Sequence, residues 1–312
     1  MTPFFSVVIP VYNRADLLRA TLQSVLSQSE QDFEIVVVDD GSSDHPGRVA
    51  EEFCDARIIF MRQENRGGGA ARNTGIDHAR GRFIAFLDSD DCFLPHHLAA
   101  MRKLLEHAPR TAAYARIIVD RGGGCTILKP PRALREGEDM ATYLLCDRGF
   151  LPTSTVVIEA GLARAIRFHE NLPAAEDTDF VIRAALAGTR FVMAEEPGVI
   201  WRDIGDPGRL SSGRRCASMR AWIEDLRPRI PAKAYYGCLG WAYAKYAALT
   251  DRRAALRFYL TAVARGCYRP SLAAIIFLQI FLSDSLYRRI ADAAIIRLNA
   301  GWHRAKTSER SS

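Results

Sequence analysis

The chain has 312 residues, 48% hydrophobic and 25% charged, ordinary globular values for one large domain with an appendage or for two domains. Its seven cysteines are scattered, odd in number and without a CxxC spacing, which argues against a disulfide framework and a zinc site and points to a reducing cytoplasm. The net charge of +6 divides unevenly: residues 1–200 hold 22 Lys and Arg against 28 Asp and Glu (−6), and residues 201–312 hold 20 against 8 (+12), so an anionic surface is expected to face the C-terminal third and no nucleic acid to be bound.

The N-terminal stretch MTPFFSVVIPVYN lacks a basic segment followed by a long apolar one, so no signal peptide is expected. SVVIPVY (6–12) reads as a strand, LLRATLQSVLSQS (17–29) as an amphipathic helix and FEIVVVDD (33–40) as a second strand. RIIFM (57–61) is a third strand, GGAARNTGIDHAR (68–80) a glycine-led helix and RFIAFLD (82–88) a fourth strand. Repeated strand-loop-helix units predict an α/β domain with a mostly parallel sheet flanked by helices. Further on, AAYARIIV, CTILK and STVVIE read as strands and MATYLLC and EDTDFVIRAALAG as helices. RFVMAEE and GVIWR read as two closing strands, and the chain is all helical past Asp206 to a polar end, TSERSS. The expected organisation is a catalytic domain over 1–205, divided into halves at 1–110 and 111–205, and a basic helical extension over 206–312. The run AAIIFLQIFL (273–282) is too short to cross a bilayer. Two readings stand for it: a buried helix of a small bundle, or an interfacial helix whose flanking Arg265, Arg269, Arg288 and Arg289 meet anionic head groups.

FIAFLDSDDC (83–92) poses a physical problem, because a buried strand ends in Asp88, Asp90 and Asp91. Carboxylates that close repel unless a cation or hydrogen-bond donors compensate. Polar clusters follow the other strands too: PVYN (10–13), VDDGSSD (38–44) and NRGGGAARN (65–73). Ligands of open α/β sheets bind outside the carboxyl ends of the strands. An acidic crevice beside a glycine-rich, Arg-bearing loop suits a metal-bound diphosphate, with backbone N–H groups and Arg72 on the remaining oxygens. Each cluster also has a plainer reading. Asp39, Asp40, Gly41 and Ser42 can be a turn and cap, Asp88 to Asp91 an Asx-turn and an N-cap for a helix begun at Pro95. Gly67 to Gly69 can be a tight turn, and Glu176 and Asp177 first-turn acids on a surface helix. Together the plainer readings require four coincidences at one sheet edge.

PVYN, VDDGSSD, NRGGGAARNTG, ARGRFIAFLDSDD and AEDTDF, in this order over residues 4–205, resemble the successive signatures of family 2 glycosyltransferases with the GT-A fold. The resemblance implies an inverting, metal-dependent transferase using Mg²⁺ or Mn²⁺. It would move a sugar from a nucleotide-sugar donor, a UDP-sugar by preference, to a saccharide or lipid-linked saccharide in exopolysaccharide or lipopolysaccharide assembly. Carried onto this sequence, it assigns Pro10, Val11 and Tyr12 to the base pocket, Asp40 to the nucleobase, and Gly68 and Arg72 to the donor. Within Asp88-Ser89-Asp90 it assigns Asp90 to the metal and Asp88 to the ribose or a metal-bound water, and it makes Asp177 the catalytic base. The family's processive polymerases add a QxxRW-type motif and several membrane spans. This sequence carries neither, so transfer of a single sugar is expected, in the cytoplasm or at the inner face of the plasma membrane. Many members carry a histidine after the base; WRDIGDPGRLSS (201–212) has none, leaving Asp203, Asp206 or Arg209 as substitutes, while His169, in RFHENLPAAED, reads as a plain loop histidine or as a residue near the acceptor side. The rival readings are a sugar-phosphate nucleotidyltransferase, which would open on a lysine-rich phosphate loop where PVYN stands, and a catalytically inactive scaffold that binds sugar nucleotides.

Overall fold

Runs of Val, Ile and Phe that are apolar on both faces become strands covered on both sides, as parallel sheets require. The computed structural model describes residues 2–170, 172, 175–203 and 215–295. Two compact units emerge, one of Met1–Ile118, Leu128–Leu144 and Arg148–Arg202, the other of Val119–Ile127, Leu145–Asp147 and Asp203–Ser312.

In chain order the elements as far as Arg202 are β1 (Phe5–Val11), α1 (Ala15–Leu26), β2 (Phe33–Asp39), α2 (Pro46–Glu51), β3 (Ile58–Arg62), α3 (Gly68–His78) and β4 (Phe83–Phe86). Then come β5 (Asp91–Phe93), α4 (His97–Leu105), β6 (Thr111–Asp120), β7 (Thr126–Lys129), α5 (Met140–Cys146), β8 (Val156–Glu159), α6 (Ala160–Ile166), α7 (Glu176–Leu186) and β9 (Arg190–Arg202). The sheet order is β3-β2-β1-β4-β8-β6-β9-β5, with β7 beside β6. β1 pairs parallel with β2 and β4, and β2 with β3; β8 joins β4 and β6, and β5 joins β9, antiparallel. RFVMAEE and GVIWR, expected as two strands, form the single strand β9. Pro197 does not break it, and its carbonyl accepts a bond from His96 Nε2 at 3.0 Å.

α1 turns Ala15, Leu18, Leu22 and Val25 inward at helical spacing, which is the stripe a sheet-covering helix needs. Gly75 lets α3 approach β1 closely, since a Cβ there would stand 2.3 Å from Val8 Cγ1. Below the acidic strand ends three rings interlock. Phe168 stacks on Phe180 of α7 at 4.3 Å, and both meet Phe86 of β4 edge-on at 5.1 and 5.6 Å, each contact adding about 0.5–1.5 kcal/mol beyond its buried area.

The second unit is helical: α8 (Arg215–Leu226), α9 (Ala232–Cys238), a π-turn over Leu239–Tyr243, α10 (Ala244–Ala247), α11 (Arg252–Ala264), α12 (Pro270–Phe281) and a further helix over 284–295. Asp251 caps α11 by accepting from the amides of Arg253 and Ala254, each at 2.9 Å. Along α12, Leu272, Ala273, Ile276 and Ile280 are buried, and Phe277 and Leu278 are exposed. Among the described residues no helix is long and apolar enough to cross a membrane. The polar end TSERSS lies outside them.

Candidate functional site

Strand register sets the carboxyl ends of β1, β2 and β4 at one edge, with Val11 opposite Asp39 and Val8 opposite Phe86. Of the three residues expected to line a base pocket there, Val11 is buried, Pro10 half-buried and Tyr12 46% exposed, so the tyrosine ring is the surface on offer. Asp40 is 2% exposed and already engaged by the chain: its carboxylate accepts from Gln63 Nε2 at 2.8 Å and from the amides of Arg66 at 3.0 Å and Gly67 at 2.8 Å. It therefore fixes the turn into α3. Asp39 accepts from the amide of Ser42 at 2.8 Å and faces Arg62 at 3.6 Å.

The glycines of that turn admit close neighbours. A Cβ on Gly69 would stand 3.0 Å from the His169 carbonyl, and one on Gly68 would stand 3.2 Å from Arg72 Nη1 and 3.6 Å from Glu176 Oε2. Asn73 seals the same place by donating to the Phe168 carbonyl at 3.0 Å and accepting from its amide at 2.8 Å, while Arg66 pairs with Glu170 at 2.6 Å. His169 itself is exposed.

The three carboxylates after β4 are compensated separately. Asp88 pairs with Arg72 Nη2 at 2.7 Å, Asp90 pairs with Arg14, and Asp91 accepts from Ser154 Oγ at 2.5 Å. Ser154 Oγ also accepts from the Asp88 amide at 3.1 Å, so one hydroxyl ties two of the acids together. Ser89 is buried, and its carbonyl shares Thr21 Oγ1 with that of Asp91, at 2.9 and 2.8 Å. The turn is thus pinned on the α1 side, and Asp91 opens β5 rather than capping α4, which has no side-chain cap.

Arg72 links this turn to α7. Its guanidinium lies 5.3 Å above the Phe168 ring and donates to Asp88 and, at 3.0 Å, to Glu176. Burial works to lower its pKa, but Asp88, Asp177 and Glu176 together outweigh that and hold it above the usual arginine value. Asp177, next along the helix, accepts from Thr153 Oγ1 at 2.5 Å. Enclosure by protein raises the Asp177 pKa above the ordinary carboxylate value; Arg72 and Thr153 oppose the shift and Asp88 adds to it. The Glu176 carboxyl is likewise raised, by burial first, against the pull of Arg72. Their place in the first turn of α7 lets the positive end of the helix dipole favour the charged forms.

Asp88 and Asp90 supply oxygen donors only, the kind Mg²⁺ and Mn²⁺ take. No group of three or more His, Cys, Asp or Glu that could hold a metal ion converges among the described residues. Of the substitutes considered for the missing histidine, Asp203 is ion-paired with Arg121 at 3.4 Å and Arg288 at 3.1 Å, and Asp206 and Arg209 lie outside the described residues. A cavity of about 670 Å³ lies at the other end of α7, lined by Met140, Ile182, Leu186, Thr189 and Phe191 among others, away from the acids at the helix start. Arg14, Thr153 and Ser154 are the site residues that motif reasoning missed. The hydroxyl-rich LPTST ahead of the apolar run VVIE was the available signal.

The family model described as Glycosyl transferase family 2 matches residues 6–155. The chain is 31% identical over 242 residues to the amylovoran biosynthesis glycosyltransferase AmsB of Erwinia amylovora, covering 74% of this chain and 80% of that protein. Its fold is similar to that of S. aureus TarS 1-349 in complex with UDP-GlcNAc, with a TM-score of 0.61 at 21% identity over 80% of this chain and 74% of that one. A similar fold occurs in the mannosyltransferase PcManGT from Pyrobaculum calidifontis in complex with GDP-Man and Mn²⁺, with a TM-score of 0.54 at 19% identity over 89% and 86% of the two chains. By sequence likeness along most of its length, and with a mixed sheet that brings its acids to one edge, the chain belongs to glycosyl transferase family 2.

Proposed function

We propose that this glycosyltransferase moves one sugar from a nucleoside diphosphate donor, a UDP-sugar first, to the hydroxyl of a saccharide acceptor with inversion at the anomeric carbon. The observation that carries the reading is the Arg72 bridge, which brings Asp88 at the end of β4 and the Glu176-Asp177 pair of α7 into one charge cluster. Asp177 takes the acceptor proton; its raised pKa makes it a stronger base than a surface aspartate, and Thr153 orients the oxygen that receives the bond. Tyr12 offers its ring to the nucleobase. Arg72 and Arg14 hold Asp88 and Asp90 in place where the diphosphate arrives. One base and direct displacement give inversion, by the logic that separates inverting from retaining glycosidases. A Mg²⁺ or Mn²⁺ ion held by Asp90 and Asp88 supplies Lewis-acid neutralisation of the leaving diphosphate when bound.

The acceptor we infer is a lipid-linked saccharide in polysaccharide assembly, met at the cytoplasmic face of the plasma membrane. Leu256, Leu260 and Val263 stand exposed along α11 beside Arg253 and Arg257, which suits an anionic membrane surface. Cosedimentation of the full chain with vesicles containing phosphatidylglycerol should drop for Leu260→Ser; equal partition of both proteins counts against this contact. The reaction is tested with a donor panel read for nucleoside diphosphate release with and without EDTA, and by NMR of the product anomer. Diphosphate release that EDTA stops, with an inverted product, supports the reading. Pyrophosphate release from a nucleoside triphosphate would favour a nucleotidyltransferase.

A further inference from the structure

Phe150 and Trp201 have no part in the donor site, yet sequence and register bring both beside it. Trp201 of β9 stands directly opposite Asp91 of β5 in an antiparallel pair, so their side chains share one face of the sheet, with Cβ atoms about 4.5–5.5 Å apart. On that face Ser154 joins Asp91 to the Asp88 amide. Phe150 precedes by three residues Thr153, whose hydroxyl holds Asp177. Its ring stacks with Trp201 at 5.8 Å and 19°, and both rings are half-buried, leaving part of their area open to solvent. Above them Lys129 Nζ lies 4.6 Å from the Phe150 centroid and 5.9 Å from that of Trp201.

We propose that Phe150, Trp201 and Lys129 form an acceptor subsite for an acidic sugar, one bearing a carboxylate or a phosphate. The inference rests on the acceptor being a saccharide, as proposed above. The two stacked rings, each half-buried, leave apolar ring area that suits the C–H face of a pyranose, with which an aromatic ring keeps close contact at little entropic cost. An ammonium poised over such rings can take up an anionic substituent at the edge of the sugar by a charge-assisted hydrogen bond. Trp201 is paired across strands with Asp91, and Phe150 lies three residues along the chain from Thr153, the partner of Asp177; on the proposal, a sugar resting on the pair presents a hydroxyl to the base.

The test is binding of three monosaccharide probes to the full chain, followed by saturation-transfer NMR: p-nitrophenyl glucuronide, glucose 6-phosphate and p-nitrophenyl glucoside. UDP binding is measured in parallel. Either or both acidic probes should bind about ten-fold tighter than the neutral one, the weight of one charge-assisted hydrogen bond; which of them does tells carboxylate from phosphate. Lys129→Met should erase that preference and keep glucoside binding, Trp201→Ala should weaken all three, and Trp201→Phe should restore them, with UDP affinity unchanged throughout. Equal affinity for acidic and neutral sugars, a preference that survives Lys129→Met, or sugar binding that survives Trp201→Ala would overturn the subsite. Loss of UDP binding by the unaltered protein would instead indict the transferase reading on which the subsite rests.

Discussion

Arg72 in the sheet unit lies 8% exposed among Asp88, Glu176 and Asp177, whereas Arg253 and Arg257 on α11 of the helical unit stand exposed. The buried polar groups of the helical unit are mostly phenols and thiols. Tyr268 donates to the Gly237 carbonyl at 2.5 Å, Tyr259 to that of Ala273 at 3.0 Å, and burial pushes the Cys238 thiol up to about 12. Both units close-pack apolar cores and both shield ion pairs: the helical unit sets Arg121 against Asp203 at 3.4 Å and Asp292 at 2.6 Å, while the sheet unit gathers three acids around Arg72 where three strand ends meet. Buried ion networks are poor sources of stability compared with apolar packing, and an excess of acids around one arginine at converging strand ends, with the Glu176 and Asp177 pKa values raised, points to chemistry rather than to folding.

The largest expected effect sharpens that contrast. Arg72→Met leaves Asp88, Glu176 and Asp177 without their shared cation and should cost about 3–5 kcal/mol in urea unfolding, whereas Arg257→Met should stay within about 0.5 kcal/mol. Similar costs for the two would erase the difference between the units. Packing should cost alike in both: a Cβ at Gly75 meets Val8 Cγ1 at 2.3 Å and one at Gly240 meets Ala262 Cβ at 2.3 Å, so Gly75→Ala and Gly240→Ala should each lose about 1–3 kcal/mol. If only the sheet-unit variant suffers, the helical unit is the looser of the two.

A smaller effect comes from His97, fully buried in the sheet unit against Phe93 at 4.2 Å. Neither ring nitrogen has a hydrogen-bond partner among the described residues. Burial first, with His96 adding to it, lowers its pKa to about 3. As pH falls below the unfolded value near 6.5 the unfolded chain takes up a proton that the folded chain refuses. Stability should therefore drop between about pH 6.5 and 3, by up to about 1.4 kcal/mol per pH unit. His97→Leu should flatten that part of the stability profile; an unaltered slope in His97→Leu would show that another group carries it.

Local pattern made the first four strands, α1, α3 and α7 legible, because each has an apolar period of its own, and the acids fall where those periods stop. What the sequence withheld depends on distant partners. The three-residue β5 exists only by pairing with β9, and nothing local separates Thr153 and Ser154 from any hydroxyl-rich turn until Asp177 and Asp91 are beside them. Pro197 reads as a breaker, yet β9 runs through it with neighbours on both sides. The sequence reading gave Gly68 and Arg72 to the donor; the structure adds that Gly68 leaves room for the Arg72 guanidinium to reach Glu176, a contact 104 residues away along the chain that no motif spacing encodes.

The most direct test of the account is turnover by Asp177→Asn, measured as UDP release beside UDP-sugar affinity, since the amide keeps the size of the carboxylate and the Thr153 bond but cannot accept a proton. A fall of about 10²–10⁴-fold in turnover with donor affinity retained is the predicted result. Turnover equal to that of the unaltered protein would contradict a base at this position.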